Sequence, residues 1–371
     1  MQDAVVFSEL PAAGGYRIGV AQLNAEKSLN ALSHPMIRLL DPQVRAWARD
    51  PRIACVVLHG AGEKAFCAGG DIRSLYRSLK EHPHEMPHPT ALAFFADEYR
   101  LHHFLHRYPK PLLTWGSGIV MGGGLGLIAG ASHRIVTETS RLAMPEITIG
   151  LFPDVGASWF LRRVPERGGL FLALTGAQIN GTDAVFGKLA DYFLRSVDRA
   201  AVFERLLDVS WSADAASNRE QLSAVLKQFS LAASPPVSNL QQHAASIESL
   251  CDGDSLQEIV ARITSYSGDD AWLRRAAATL RAGSPTSAAL AWELRRRAAS
   301  LDLAATFRIE LIVALQCCAH PDLREGVRAL IIDKDNAPRW QPKTLDEVTP
   351  QWVDEHFVAP WPEQQHPLAD L

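Results

Sequence analysis

The sequence is poor in cysteine and has no surplus of positive charge, no fixed-period repeat and only one uncharged, mainly apolar run long enough to cross a membrane. Each scarcity closes a class of function. The five cysteines (Cys55, Cys67, Cys251, Cys317, Cys318) are odd in number and irregular in spacing, which argues against a disulfide framework and predicts a reducing compartment. Thirty-seven basic residues against 41 acidic ones leave no electrostatic footprint for nucleic acid. The opening "MQDAVVFSEL" follows neither the plan of a signal peptide nor that of a transit peptide, so a cytoplasmic location is expected. The uncharged run "PLLTWGSGIVMGGGLGLIAGAS", Pro111 to Ser132, has the length of a membrane span, but seven of its 22 residues are glycine. A strand, a tight turn and a closely packed helix suit it better, and no membrane partner is expected.

What is present is an ordinary globular composition, 47% hydrophobic and 21% charged, in 371 residues, long enough for two domains or one enlarged one. The first half alternates strands and helices. Tyr16–Leu23 reads as a strand, and Pro35–Arg49 as a helix with Pro42 at its start or at a kink. "IACVVLHG" reads as a strand buried on both faces, "AGEKAFCAGG" as loop, Asp71–Lys80 and Ala91–Tyr108 as helices. "PLLTWG" is a further strand, Gly122–Ala131 a helix opening on three glycines, and "RIVTE" a strand again. From about Asp198 alanine, leucine, glutamate and arginine dominate and strand-like runs nearly vanish, with a break at "AASPPVSN". The expected organisation is an α/β core over residues 1–197 and a mainly helical C-terminal region over 198–371.

Two motifs fail on context. "HEMPH", His84 to His88, has the letters of a zinc-protease site, but Pro83, Pro87 and Pro89 deny it the helix that puts both histidines on one face. "GLGLIA", Gly124 to Ala129, matches a dinucleotide fingerprint, yet Glu138 follows Gly124 by only fourteen residues where the ribose-binding acid is expected ~20 on.

Three segments carry the chemistry. "MPEITIGLFPDVG", Met144 to Gly156, sets two carboxylates, Glu146 and Asp154, in an otherwise apolar run, and a buried acid is costly unless paired, neutralised or used. "AGG", Ala68 to Gly70, and "GGG", Gly122 to Gly124, each precede a helix, so each can offer backbone N–H groups to a carbonyl oxygen. Two such donors make an oxyanion hole.

At these residues the sequence resembles the crotonase (enoyl-CoA hydratase/isomerase) superfamily: "KAFCAGGDI", "KPLLTWGSGIVMGGGLGL" and "LAMPEITIGLFPDVG" look like its successive motifs. "FFADEYRLHHFLHRYPKP", "FLALTGAQINGTDA" and "DLREGVRALIIDKDNAPRW" extend the resemblance over about Val5 to Phe357 and point to its hydrolase branch. The resemblance implies a spiral of β-β-α units followed by a helical C-terminal region. It puts the oxyanion donors on the N–H groups of Gly70 and Gly123, the main catalytic carboxylate on Glu146 and its hydrolase partner on Asp154. It makes Glu98 a further substrate-contacting acid, and Lys27, Ser28 and Leu29, with Ala68 and Gly70, the coenzyme A contacts. The implied reaction is hydrolysis of a short 3-hydroxyacyl-CoA, 3-hydroxyisobutyryl-CoA first and 3-hydroxypropionyl-CoA second, with no metal or redox cofactor. Homo-oligomerisation stays open. The hydratases of the superfamily need a second glutamate where this chain has Gly126, and structural members of larger assemblies are known among its relatives; both remain as alternatives. Trp115, Ser117 and Ala157 depart from the hydrolase pattern beside the expected acyl pocket, and so bear on the acyl group more than on the reaction.

Overall fold

Ten strands form in chain order: β1 (Val5–Pro11), β2 (Arg17–Leu23), β3 (Ile53–Gly60), β4 (Ala65–Cys67), β5 (Leu112–Gly116), β6 (Ile119–Met121), β7 (His133–Val136), β8 (Arg141–Ala143), β9 (Ile179–Asn180) and β10 (Tyr192–Phe193). They are seen in a computed structural model that describes residues 3–82 and 85–371. Pro83 and His84, and with them the first histidine of "HEMPH", lie outside the described residues.

The strands make two sheets. The larger runs β1-β2-β3-β5-β7-β10, parallel from β2 onward with β1 antiparallel at its edge, and the smaller runs β4-β6-β8-β9. In chain order a strand of the larger sheet is followed by one of the smaller sheet and then by a helix: β3, β4 and Ile72–Glu81; β5, β6 and Gly123–Ala129; β7, β8 and the short helices after it. This is the β-β-α repetition expected from the sequence. All eight residues of β3 are buried, as its unbroken apolar run requires of a strand covered on both faces.

The chain divides into two compact units. The first comprises Met1–Gly70, Leu101–Leu142 and Ile179–Gln242; the second comprises Asp71–Arg100, Ala143–Gln178 and His243–Leu371. This division runs differently from the change in composition near 198, because Ile179–Gln242 belongs with the first unit. Among the described residues no strand follows Phe193.

In the first unit, helix His34–Arg49 covers the larger sheet with Met36, Ile37, Leu40, Val44 and Trp47. Ser33 caps it, accepting from the Met36 N–H, and Pro42 sits inside it rather than at its start. Helices Arg199–Leu207 and Ala215–Leu231 supply Val202, Leu206, Leu222 and Leu226 to a core that includes Val57, Leu113 and Ile135 from the strands. Trp115 belongs to that core as well: 1% exposed, it meets Phe203 edge-on at 6.2 Å. Its bulk fills the sheet's covered face, which corrects its expected place beside an acyl pocket.

The second unit is helical. Helices Ala271–Ala282, Pro285–Arg297 and Leu303–Ala319 start at Asp270, Ser284 and Asp302, whose side chains accept from the Leu273, Ser287 and Ala305 N–H groups. These caps satisfy donors that the first helical turn leaves free, each typically worth ~1 kcal/mol. No single helix among the described residues is long and apolar enough to cross a membrane. One pair bent by 73°, Leu303–Ala319 with Pro321–Ile332, passes by length and composition alone. The uncharged run from Pro111 is divided among β5, β6 and Gly123–Ala129.

Candidate active site

Three predicted acids meet in the second unit. Pro145 precedes a 3-10 turn, Glu146–Ile149, which buries Glu146 to 5% exposure and leaves its Oε2 without a hydrogen-bond partner among the described residues. Asp154 is equally buried and accepts a 2.8 Å hydrogen bond from the Tyr99 hydroxyl. Glu98, one residue before Tyr99 on helix Pro89–His106, is 2% exposed, and its Oε1 likewise has no hydrogen-bond partner there. Burial pushes the Glu98 and Glu146 carboxyls well above the usual range; the Asp154 charge raises both further, and Glu146 adds to the effect on Glu98. Burial also lifts Asp154 to about 6, although the Tyr99 hydroxyl pulls it back down. Like charges crowded in a low dielectric hold protons at a pH where free carboxylates have lost them, a common property of acid–base sites.

The chain after Asp154 is strained. Val155 has φ 54° and Gly156 φ 86°, the first a left-handed conformation that β-branched residues rarely adopt. The turn is closed by the Ala157 N–H donating to the Asp154 carbonyl at 2.9 Å. It is held from the side by Glu310 of helix Leu303–Ala319, whose two carboxylate oxygens accept from the Gly156 N–H at 2.7 Å and the Ser158 N–H at 3.0 Å. Sequence reasoning missed Glu310. The signal was the one that singled out Glu146 and Asp154, an acid inside a mostly apolar run, "TFRIELIVALQCCA".

The first unit holds the other predicted site residues. The two glycine turns lie against each other: a Cβ on Gly69 would stand 3.3 Å from the Met121 carbonyl oxygen, and one on Gly124 only 2.4 Å from that of Cys67. Gly124 is therefore glycine because its helix rests directly on β4. Gly123 opens that helix, so its N–H has no acceptor within it. Gly70 pairs with Leu32 in an isolated parallel bridge, where the Leu32 N–H donates to the Gly69 carbonyl at 2.7 Å.

Lys27 and Ser28 end a 3-10 turn, and Leu29 and Asn30 follow with φ 56° and 55°. Asn30 fixes this kink. Fully buried, it donates to the Ala61 and Ala65 carbonyls at 3.0 and 2.8 Å and accepts from the Ala25 N–H at 2.9 Å. The Leu29 carbonyl then accepts from the Ala68 N–H at 3.1 Å, which brings the two expected coenzyme A segments together. Among the described residues no group of three or more His, Cys, Asp or Glu side chains is placed to hold a metal ion.

Comparison with known proteins identifies the family. The enoyl-CoA hydratase/isomerase family model matches residues 18–357. The chain is 38% identical over 343 residues, 92% of its length and 87% of the relative's, to a protein of Danio rerio named 3-hydroxyisobutyryl-CoA hydrolase, mitochondrial. That name lends the cytoplasmic expectation no support. It is 34% identical over 362 residues, 94% of its length and 70% of the relative's, to small ribosomal subunit protein mS47 of Neurospora crassa. Among solved structures it resembles a carnitinyl-CoA dehydratase from Mycobacterium thermoresistibile with a TM-score of 0.85 and 34% identity, covering 99% of this chain and 98% of that one. The chain belongs to the enoyl-CoA hydratase/isomerase, or crotonase, family.

Proposed function

We propose that this chain hydrolyses a short 3-hydroxyacyl-CoA thioester to the free acid and coenzyme A, with 3-hydroxyisobutyryl-CoA the first candidate substrate and 3-hydroxypropionyl-CoA the second. The observation that carries the reading is the buried pair Glu146 and Asp154, whose raised proton affinities suit chemistry near neutral pH. The relatives named 3-hydroxyisobutyryl-CoA hydrolase support the substrate.

In this reading the thioester oxygen is held by the N–H groups of Gly70 and Gly123, which stabilise the oxyanion as the carbonyl carbon becomes tetrahedral. Glu146 acts at that carbon, either by attacking it to give an acyl-enzyme anhydride or by taking a proton from water. Both routes need Glu146 without its proton, so the acidic limb of the pH–rate profile falls above the ordinary carboxylate range. The departing coenzyme A thiolate needs little help, since thiols ionise near pH ~8.5. Asp154 orients the substrate hydroxyl or water, and Glu98 contacts the acyl part. Lys27, Ser28, Leu29 and Ala68 take the coenzyme A, through a backbone that Asn30 holds in place.

The two alternatives meet specific obstacles. Hydration of an enoyl-CoA requires a second carboxylate on the water, and Gly126 stands where it would sit. A purely structural protein gains nothing from buried acids that favour the protonated form and so lower folding stability at neutral pH. A panel of short acyl-CoA esters, followed by free-thiol release beside the loss of crotonyl-CoA, tests the proposal. Thiol release fastest on 3-hydroxyacyl esters supports it; crotonyl-CoA consumption without thiol release, or no turnover of any ester, contradicts it.

A further inference from the structure

Glu310 is fully buried, and each of its carboxylate oxygens takes one backbone N–H from the turn that follows Asp154. Phe307, one turn earlier on the same helix, packs on that turn and on Tyr99: a Cβ on Gly156 would lie 3.0 Å from the Phe307 ring, and the Phe307 and Tyr99 rings are 5.6 Å apart. One helix face thus bears on both ends of the Tyr99–Asp154 hydrogen bond. A left-handed valine is costly and persists only where its surroundings over-determine it. Two hydrogen bonds from one rigid helix do so, although burial raises the Glu310 carboxyl to about 8 against the pull of both N–H groups. A carboxyl with its proton affinity raised in this way costs stability at neutral pH, where an uncharged acceptor of the same size would not, so an acid in this place calls for a further reason.

We propose that Glu310 is a positioning residue: by clamping the Val155–Gly156 turn it holds the Asp154 carboxylate on the Tyr99 hydroxyl, in the one orientation that turnover uses. The inference rests on the hydrolase reading above and deepens it. Glu310→Gln keeps size and one acceptor oxygen but turns an NH2 group toward the second backbone N–H. The turn then loosens, and misplacement on the ångström scale costs up to ~10²-fold in rate.

The test measures kcat, KM and melting for wild type, Glu310→Gln, Asp154→Asn and the double variant, by thiol release from 3-hydroxyisobutyryl-CoA. Glu310→Gln should lower kcat by ~10–100-fold with KM within ~3-fold, and it should cost no further activity once Asp154 is already Asn, because residues that act through one another do not add. Multiplying losses, or a kcat within ~3-fold of wild type, would overturn the proposal. Should the amide fail to fold, Glu310→Asp keeps the carboxyl but is one methylene short of spanning both N–H groups, and the same cycle applies. If wild type releases no thiol from any ester, the hydrolase reading fails and the clamp is judged by the Tyr99 phenol carbon signal in NMR. A shift of that signal in Glu310→Gln upholds control of the Tyr99–Asp154 bond, and an unmoved signal refutes it.

Discussion

Replacing Asp154 by asparagine should make the protein more stable, and only above a definite pH. Asp154 is lifted from 3.8 to about 6, so between those values the folded chain still holds a proton that the unfolded chain has released. Stability therefore falls as pH rises through this window; the contribution is intact below pH ~4 and fully lost above pH ~6. About two units at ~1.4 kcal/mol each give about 3 kcal/mol surrendered at neutral pH. Asparagine is neutral throughout, and its Oδ1 can still accept from the Tyr99 hydroxyl, so it recovers most of that amount. Unfolding entropy of ~2.1 cal/mol/K per residue makes ~0.8 kcal/mol per degree for a chain of this length, and the gain becomes about 4 °C. Scanning calorimetry of both proteins at pH 4, 6 and 8 should show no gain at pH 4 and the full gain at pH 8, alongside a loss of hydrolysis. An equal gain at every pH, or none at pH 8, would show that Asp154 is not a carboxylate held at the expense of stability.

Other perturbations follow from single contacts. Gly124→Ala places a methyl 2.4 Å from the Cys67 carbonyl oxygen, which cannot retreat without moving β4, so a loss of ~1–3 kcal/mol or more is expected in melting and denaturant titrations; unchanged stability would refute the close packing. Asn30→Ala removes three hydrogen bonds holding the Lys27–Leu29 kink, and KM for coenzyme A esters should rise at least several-fold while kcat on saturating substrate changes little. A lower kcat with unaltered KM would separate that segment from coenzyme A binding. Trp115→Ala should cost ~3–5 kcal/mol of stability through the sheet core, with the relative rates on different acyl chains left as they were; altered chain preference would return Trp115 to the acyl pocket.

Long elements and uniformly apolar ones were legible in the sequence. β3 declared itself by an apolar run that needs cover on both faces, and the helix read over Asp71–Lys80 forms one residue later, at Ile72–Glu81, because Asp71 caps it from outside. The three-residue strands β4 and β6 were not, because a strand so short between glycines shows no alternation. β1 escaped as well, since at the sheet edge only Val5 of its seven residues is fully buried, which leaves little apolar signal. Glu146, Asp154 and Glu98 were named from the sequence, and the geometry adds their shared burial. Glu310 and Asn30 were not named, because the one sits 154 residues from the Gly156 N–H it accepts and the other reads locally as a turn residue. The unit composition was beyond sequence reasoning for a related reason: each unit gathers three separate stretches of chain, which no local shift in composition can mark.

On the proposed mechanism, Glu146 performs the thioester hydrolysis. Thiol release from 3-hydroxyisobutyryl-CoA by Glu146→Gln, measured beside coenzyme A binding, tests it most directly, because the amide keeps the shape of the side chain and removes both its nucleophilicity and its basicity. A kcat lower by at least ~10², with coenzyme A affinity within a few-fold of wild type, is the expected result. Turnover within a few-fold of wild type would place the chemistry on another residue.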